Sequence, residues 1–284
     1  IALEKKLNEL ELTLSVWPKS MLRIIDKIKF FGYQNHSHEK RLGGFVYKSK
    51  PVDLLDVNQG REIYLNFFEE IHVSVIFAHE MFHLSEKYFL GMTNSLDELW
   101  IESMKLLNIP VKYSSDTSIV EDKIETKMLP IKEMVLGGFV RRYSATKPCE
   151  DRATLMEDIF SKSKFEGLSQ KELLENKAVI SKKKKLIKAL LFIFSFGKMD
   201  SYYFSIVDNP ENKTDFNLRV LHAEQRFNLY KETHSISYKE YKDQSYRLLA
   251  DALGTQYLPS KHIELLEDLF TDKLDDLNFN KYGK

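Results

Sequence analysis

The chain has 284 residues, 43% hydrophobic and 30% charged, which suffices to bury one large core or two modest ones while remaining soluble. Lys+Arg and Asp+Glu both total 42, so no global field draws the protein to nucleic acid or to a cationic partner. The one cysteine, Cys149, excludes an internal disulfide and a cysteine-based zinc cluster.

The first residue is Ile1 rather than Met, which leaves both an exported chain that has lost a leader and a cytoplasmic one open. "ALEKKLNELELTL" has helical spacing, and "WPKSMLRIIDKI" predicts a second helix with Pro18 near its start. "IKFFGY" predicts a short strand. Two β-rich pieces follow, Gly44–Lys48 and Glu62–Leu65, separated by the turn residues Pro51, Asn58 and Gly60. From Phe67 the pattern turns helical through "FFEEIHVSVIFAHEMFHLSEKYFL", with Gly91 as its stop. Residues 92–130 read as mixed helix and loop, and residues 131–160 as mostly helical, broken at "SATKP".

Helical spacing dominates from residue 166 to the end. It runs through "SQKELLENKAVISKKKKLIKALLFIF", "DFNLRVLHAEQRFNLYKE", "YKEYKDQSYRLLADAL" and "SKHIELLEDLFTDKL", with "DNPENK" as a loop signal. The longest apolar run, "LIKALLFIFSF", is interrupted by Lys188 and is too short to span a bilayer, so no transmembrane segment is expected. These elements predict an α+β protein. A small mixed lobe over residues 1–165 precedes a predominantly helical lobe over residues 166–284, packed with the first or beside it.

Within the central helix, "FAHEMFH" places His79 and His83 four apart, with Glu80 directly after the first. That spacing puts both imidazoles on one face, one turn apart, where they can share a metal. Glu80 leans to the side of that face, within reach of a water on the metal but not ligating it. The preceding "VSVIFA" is apolar, so the helix is expected to be buried, and buried His and Glu side chains need partners. His72 lies about two turns before His79, about 10 Å along the axis, which suits a structural role.

A catalytic zinc needs three protein ligands and one open position, so one ligand remains to be found. The residues three and six after His83 are Glu86 and Phe89, which excludes the metzincin continuation HExxHxxGxxH. Two downstream segments offer a glutamate. "DELWIE" carries Glu98 and Glu102, while "YSATKPCEDRA" carries Glu150, seven residues after Tyr143.

"GFVRRYSATKPCEDRA" resembles a segment of zinc-binding metallopeptidases related to the anthrax lethal-factor catalytic domain, a gluzincin type. The order of "GGFVYKS", "REIYLN" and the HExxH helix is similar to theirs, and the resemblance covers roughly residues 15–165. It implies a zincin-like lobe and a zinc-dependent peptidase that cuts peptide bonds with a metal-activated water. One Zn2+ would be held by His79, His83 and Glu150, with Glu80 as general base and Tyr143 as donor to the developing oxyanion. Glu102 is the rival third ligand. Relatives often carry an acid four residues after the ligand glutamate, against a histidine; here that position is Thr154, leaving Asp151 or Glu157 to replace it. "GGFVYKS" is the candidate edge strand for a peptide or protein substrate. The alternative is a zincin-fold binding protein that keeps the zinc without hydrolysis.

Other features read more plainly. His36 and His38 in "NHSHE" suit a surface loop, and Lys182–Lys185 suits the solvated start of a buried helix. Cys149 would be reactive only if exposed. Asn35 and Asn212 sit in N-x-S/T sequons that matter only in a glycosylating host. Substrate identity and oligomeric state do not follow from these residues.

Overall fold

A computed structural model describes residues 2–31, 44–46, 61–66, 73–90, 95–113, 117–120, 123–126, 129–160, 169–207 and 236–283. His36, His38, His72, the two sequons, "DNPENK" and the segment 215–232 lie outside the described residues.

Helix α1 (Ala2–Ser15) and the short α2 (Lys19–Leu22) lead into strand β1 (Lys27–Phe31). The second predicted helix is thus shorter than its pattern suggested. The helix stops at Leu22, the chain turns over residues 23–26, and pairing with β3 (Glu62–Asn66) claims Lys27 and Ile28 at the end of the predicted helix along with the predicted strand that follows. β1 runs parallel to β3, and β2 (Gly44–Val46) runs antiparallel to it, in the order β1-β3-β2. β2 is therefore an edge strand among the described residues.

Helix α3 (Val73–Leu90) is buried along most of its length, with Phe77, Ala78, Met81, Phe82 and Leu84 inaccessible. Such all-round burial needs neighbours on every side. α1, β2, β3, α4 (Ser95–Leu106) and α6 (Pro148–Phe160) supply them. Its first amide, Val73 N, donates to Glu9 Oε1 at 2.7 Å, so a carboxylate from α1 closes the positive end of the helix.

Residues 117–126 depart from the sequence reading. Thr117–Val120 and Lys123–Thr126 pair as an antiparallel hairpin, β4 and β5, in a region read as helix and loop. α5 (Ile131–Leu136) and a 3₁₀ turn (Arg142–Ala145) precede α6. Among the described residues the chain ends in α7 (Gln170–Phe194), α8 (Ser201–Val207), α9 (Tyr238–Leu253), α10 (Ser260–Asp272) and a last short α11 (Asp276–Tyr282).

The molecule is predominantly helical with a small sheet. One contiguous cluster of buried apolar side chains links both halves of the chain, from Trp17, Phe77 and Ile159 to Phe194, Leu253 and Phe279. Phe89 of α3 stacks on Phe194 of α7 with ring centroids 4.9 Å apart. Among the described residues no helix is long and apolar enough to cross a membrane.

Candidate metal centre

Two helices build the site. α3 presents His79 and His83 on one face, with Nε2 atoms 3.1 Å apart. α6 starts at Pro148, whose missing N–H is harmless in a first turn, and carries Glu150 in that turn, where the helix dipole favours a carboxylate. Glu150 Oε2 lies 3.2 Å from His79 Nε2 and 3.4 Å from His83 Nε2. Glu102 is elsewhere. Its side chain is half exposed and pairs with Lys105 on its own helix at 2.7 Å.

Glu150, Asp151 and Arg152 fan out from α6 in three directions. Asp151, fully buried, accepts from Lys183 Nζ at 2.7 Å, from the Tyr113 hydroxyl at 2.8 Å and from Trp100 Nε1 at 3.1 Å. Lys183 also donates to the carbonyls of Gly137 and Gly138. Arg152, equally buried, bonds Glu86 of α3 and Asp97 of α4. These two buried ionic networks fix the α6 backbone directly after Glu150, so its carboxylate is held against α3 by its neighbours in sequence. The lysine run is divided accordingly. Lys183 is buried, Lys184 pairs with Asp158 at 2.6 Å, and Lys182 and Lys185 face solvent.

The far side of His79 meets Glu157, whose Oε1 lies 2.6 Å from Nδ1. Of the two acids considered for this role, Asp151 is taken by Lys183 and Glu157 reaches the imidazole. Thr154 instead donates to the backbone carbonyls of Glu150 and Asp151. Arg141 Nη2 lies 2.5 Å from the same Glu157 oxygen. Arg141 has no spacing signal that marks it in the sequence, because its partner is sixteen residues away and on another element.

The electrostatics call for a cation. Glu150 Oε2 is buried and accepts no well-directed hydrogen bond. Burial alone would lower the pKa of His79, but the adjacent carboxyls of Glu150 and Glu157 push it up to about 10. Burial would raise that of Glu150, yet the close approach of His79 and His83 holds it well below the usual carboxylate range. His79 Nδ1, 2.6 Å from Glu157 Oε1, likewise makes no well-directed hydrogen bond, and Nε2 lies 3.2 Å from Glu150 Oε2, so carboxylate oxygens crowd both ring nitrogens, an arrangement that repels unless positive charge lies between them.

A proton supplies one such charge; a divalent ion satisfies all three atoms at once. Three donors at about 2.0–2.1 Å from one tetrahedral zinc lie about 3.3–3.4 Å from one another. The observed separations of 3.1, 3.2 and 3.4 Å match that spacing closely. The donor set, two neutral imidazoles and a carboxylate, is one that zinc accepts.

Glu80 is buried beside this cluster, and burial raises its pKa, though the positive ends of His79 and His83 oppose the rise. Tyr143 lies with its ring centroid 6.1 Å from that of His79. Burial of the hydroxyl and the charge of Glu150 raise its pKa, so the phenol keeps its proton. Cys149 is half-buried, and burial together with Glu150 pushes its thiol up to about 11, which removes the reactive thiolate at neutral pH.

Compared with protein families, with curated proteins and with solved structures, the chain matches none.

Proposed function

We propose that the chain is a single-zinc peptidase of the gluzincin type, with a zincin-like lobe formed by β1–β3, α3 and α6. The observation that carries this reading is the spacing of His79 Nε2, His83 Nε2 and Glu150 Oε2, three donors held at zinc-ligand separations with Glu80 buried next to them.

His79, His83 and Glu150 would hold the ion, which supplies Lewis acidity that polarises a carbonyl and brings the pKa of a water toward 7. Glu80 takes the proton from the attacking water. Its carboxyl, raised by burial, is a stronger base than an exposed glutamate and later returns the proton to the leaving amine. Tyr143 keeps its hydroxyl proton and donates a hydrogen bond to the oxyanion that forms on the scissile carbonyl. Glu157 Oε1, 2.6 Å from His79 Nδ1, is placed to orient the imidazole so that Nε2 faces the site. The side of β2 that pairs with no strand among the described residues offers backbone groups along which an extended peptide can lie.

A zinc-loaded sample incubated with denatured protein and a mixed peptide pool tests the reading. It predicts new N-termini, lost on chelation and restored by zinc. Full zinc occupancy with no cleavage of any peptide would favour the binding-protein alternative.

A further inference from the structure

We infer that Arg141 is a positioning residue of the metal site, joining the carboxylate that orients His79 to the turn that carries Tyr143. The inference rests on reading His79, His83 and Glu150 as a zinc site.

Glu157 Oε1 is held from two sides. His79 Nδ1 lies 2.6 Å from it and Arg141 Nη2 lies 2.5 Å from it. The Glu157 side chain is 7% exposed, whereas Arg141 is 44% exposed, so the guanidinium forms the outer wall of this contact. Glu157 also shares its surroundings with Glu80 and Glu150, two further carboxylates. Like charges at this range repel, and a long side chain with several rotatable bonds has conformations that lead away from them. The planar fork of Arg141 removes that freedom, because one donor on Oε1 fixes where the oxygen sits as seen from His79.

Arg141 is itself anchored. Its amide donates to Ser144 Oγ at 3.2 Å, and its carbonyl accepts from the Ser144 hydroxyl at 2.5 Å and from Ser144 N at 3.0 Å. Ser144 is fully buried within the 3₁₀ turn Arg142–Ala145, so the base of Arg141 and the base of Tyr143 move as one piece. The Arg141 Cζ lies 5.6 Å from the centre of the Tyr143 ring, within the range at which a guanidinium is attracted to an aromatic face. A single side chain therefore touches both the residue that orients a ligand and the residue assigned to the oxyanion.

A surface arginine with a merely stabilising ion pair would leave metal affinity alone. The test measures zinc affinity by competition with a chromophoric chelator, and the visible spectrum of the cobalt-loaded protein, for wild type, Arg141→Met, Arg141→Lys, Glu157→Gln and the Arg141→Met/Glu157→Gln double variant. Arg141→Met should weaken zinc binding on the order of tenfold and shift the cobalt band, with Glu157→Gln at least as severe. Arg141→Lys should recover part of the loss. The double variant should bind no worse than Glu157→Gln alone, because both changes cut the same path. Wild-type affinity and spectrum in Arg141→Met, or fully additive losses in the double variant, would overturn the inference while leaving the metal site standing. A wild type that takes up no zinc would overturn the metal reading and this inference with it.

Discussion

Glu150 Oε2 lies 3.2 Å from His79 Nε2, although the two residues belong to different helices, α6 and α3, with α4, the β4–β5 pair and α5 between them in the chain. That approach is possible because α6 packs along α3 and because Asp151 and Arg152 pin the first turn of α6 to α7, α3 and α4. Zinc uptake should therefore discriminate between Glu150 and Glu102 as third ligand. Glu150→Gln should lower zinc affinity by a hundredfold or more, on the order of what losing one of three ligands implies, while Glu102→Gln leaves it unchanged. Equal effects would require another ligand arrangement.

Tyr143→Phe removes only a hydroxyl from a half-exposed ring. It should lower kcat by roughly 10²–10³-fold with little change in KM or zinc content, the pattern of a donor used in the transition state alone. Steady-state kinetics on a cleaved peptide measure this, and a change confined to KM would assign Tyr143 to substrate binding instead.

The site should also leave a signature in pH dependence. In metal-free protein the folded pKa of His79, about 10, lies above its ordinary 6.5, so its contribution to stability is complete below pH 6.5 and is lost as pH rises toward 10. The folded pKa of Glu150 lies below its ordinary 4.5, so its contribution is present above pH 4.5 and fades as pH falls. The difference in melting temperature between metal-free wild type and His79→Gln should then be largest between about pH 4.5 and 6.5. Zinc must displace a proton from His79, so zinc affinity should climb with pH across the neutral range, and binding at pH 7 should release protons measurable in buffers of different ionisation enthalpy.

Lys183 and Asp151 are both fully buried. Replacing Lys183 by Met leaves an uncompensated carboxylate among Trp100 and Tyr113 and should cost about 3–5 kcal/mol in chemical denaturation. Replacing both, as Lys183→Met with Asp151→Leu, should recover much of that loss. A small effect of the single change would mean that water reaches the pair.

How much of this was legible in the sequence depended on distance along the chain. His79, Glu80 and His83 are read from a four-residue spacing on one apolar helix, which is local information. Glu150 could be proposed but not separated from Glu102, because both sit at helix starts or faces and only packing of α6 against α3 distinguishes them. In the sequence Lys183 reads as part of a solvated basic run. Its burial follows from Asp151 and two glycine carbonyls, which no periodicity announces. The β4–β5 hairpin was missed because short β-branched stretches such as "TSIV" and "KIET" carry weak patterns when a helix precedes them. Arg141 was invisible for the same reason as Lys183: its partner is chosen by tertiary contact.

The central claim is that a buried glutamate beside a three-ligand metal site does the proton work of peptide hydrolysis. Its most direct test compares wild type with Glu80→Gln, each assayed for zinc per chain and for peptide cleavage by mass spectrometry. The account predicts about one zinc in both, with turnover lowered by roughly 10²–10⁴-fold in the variant. Zinc-bound Glu80→Gln protein that cleaves peptide at the wild-type rate would contradict it.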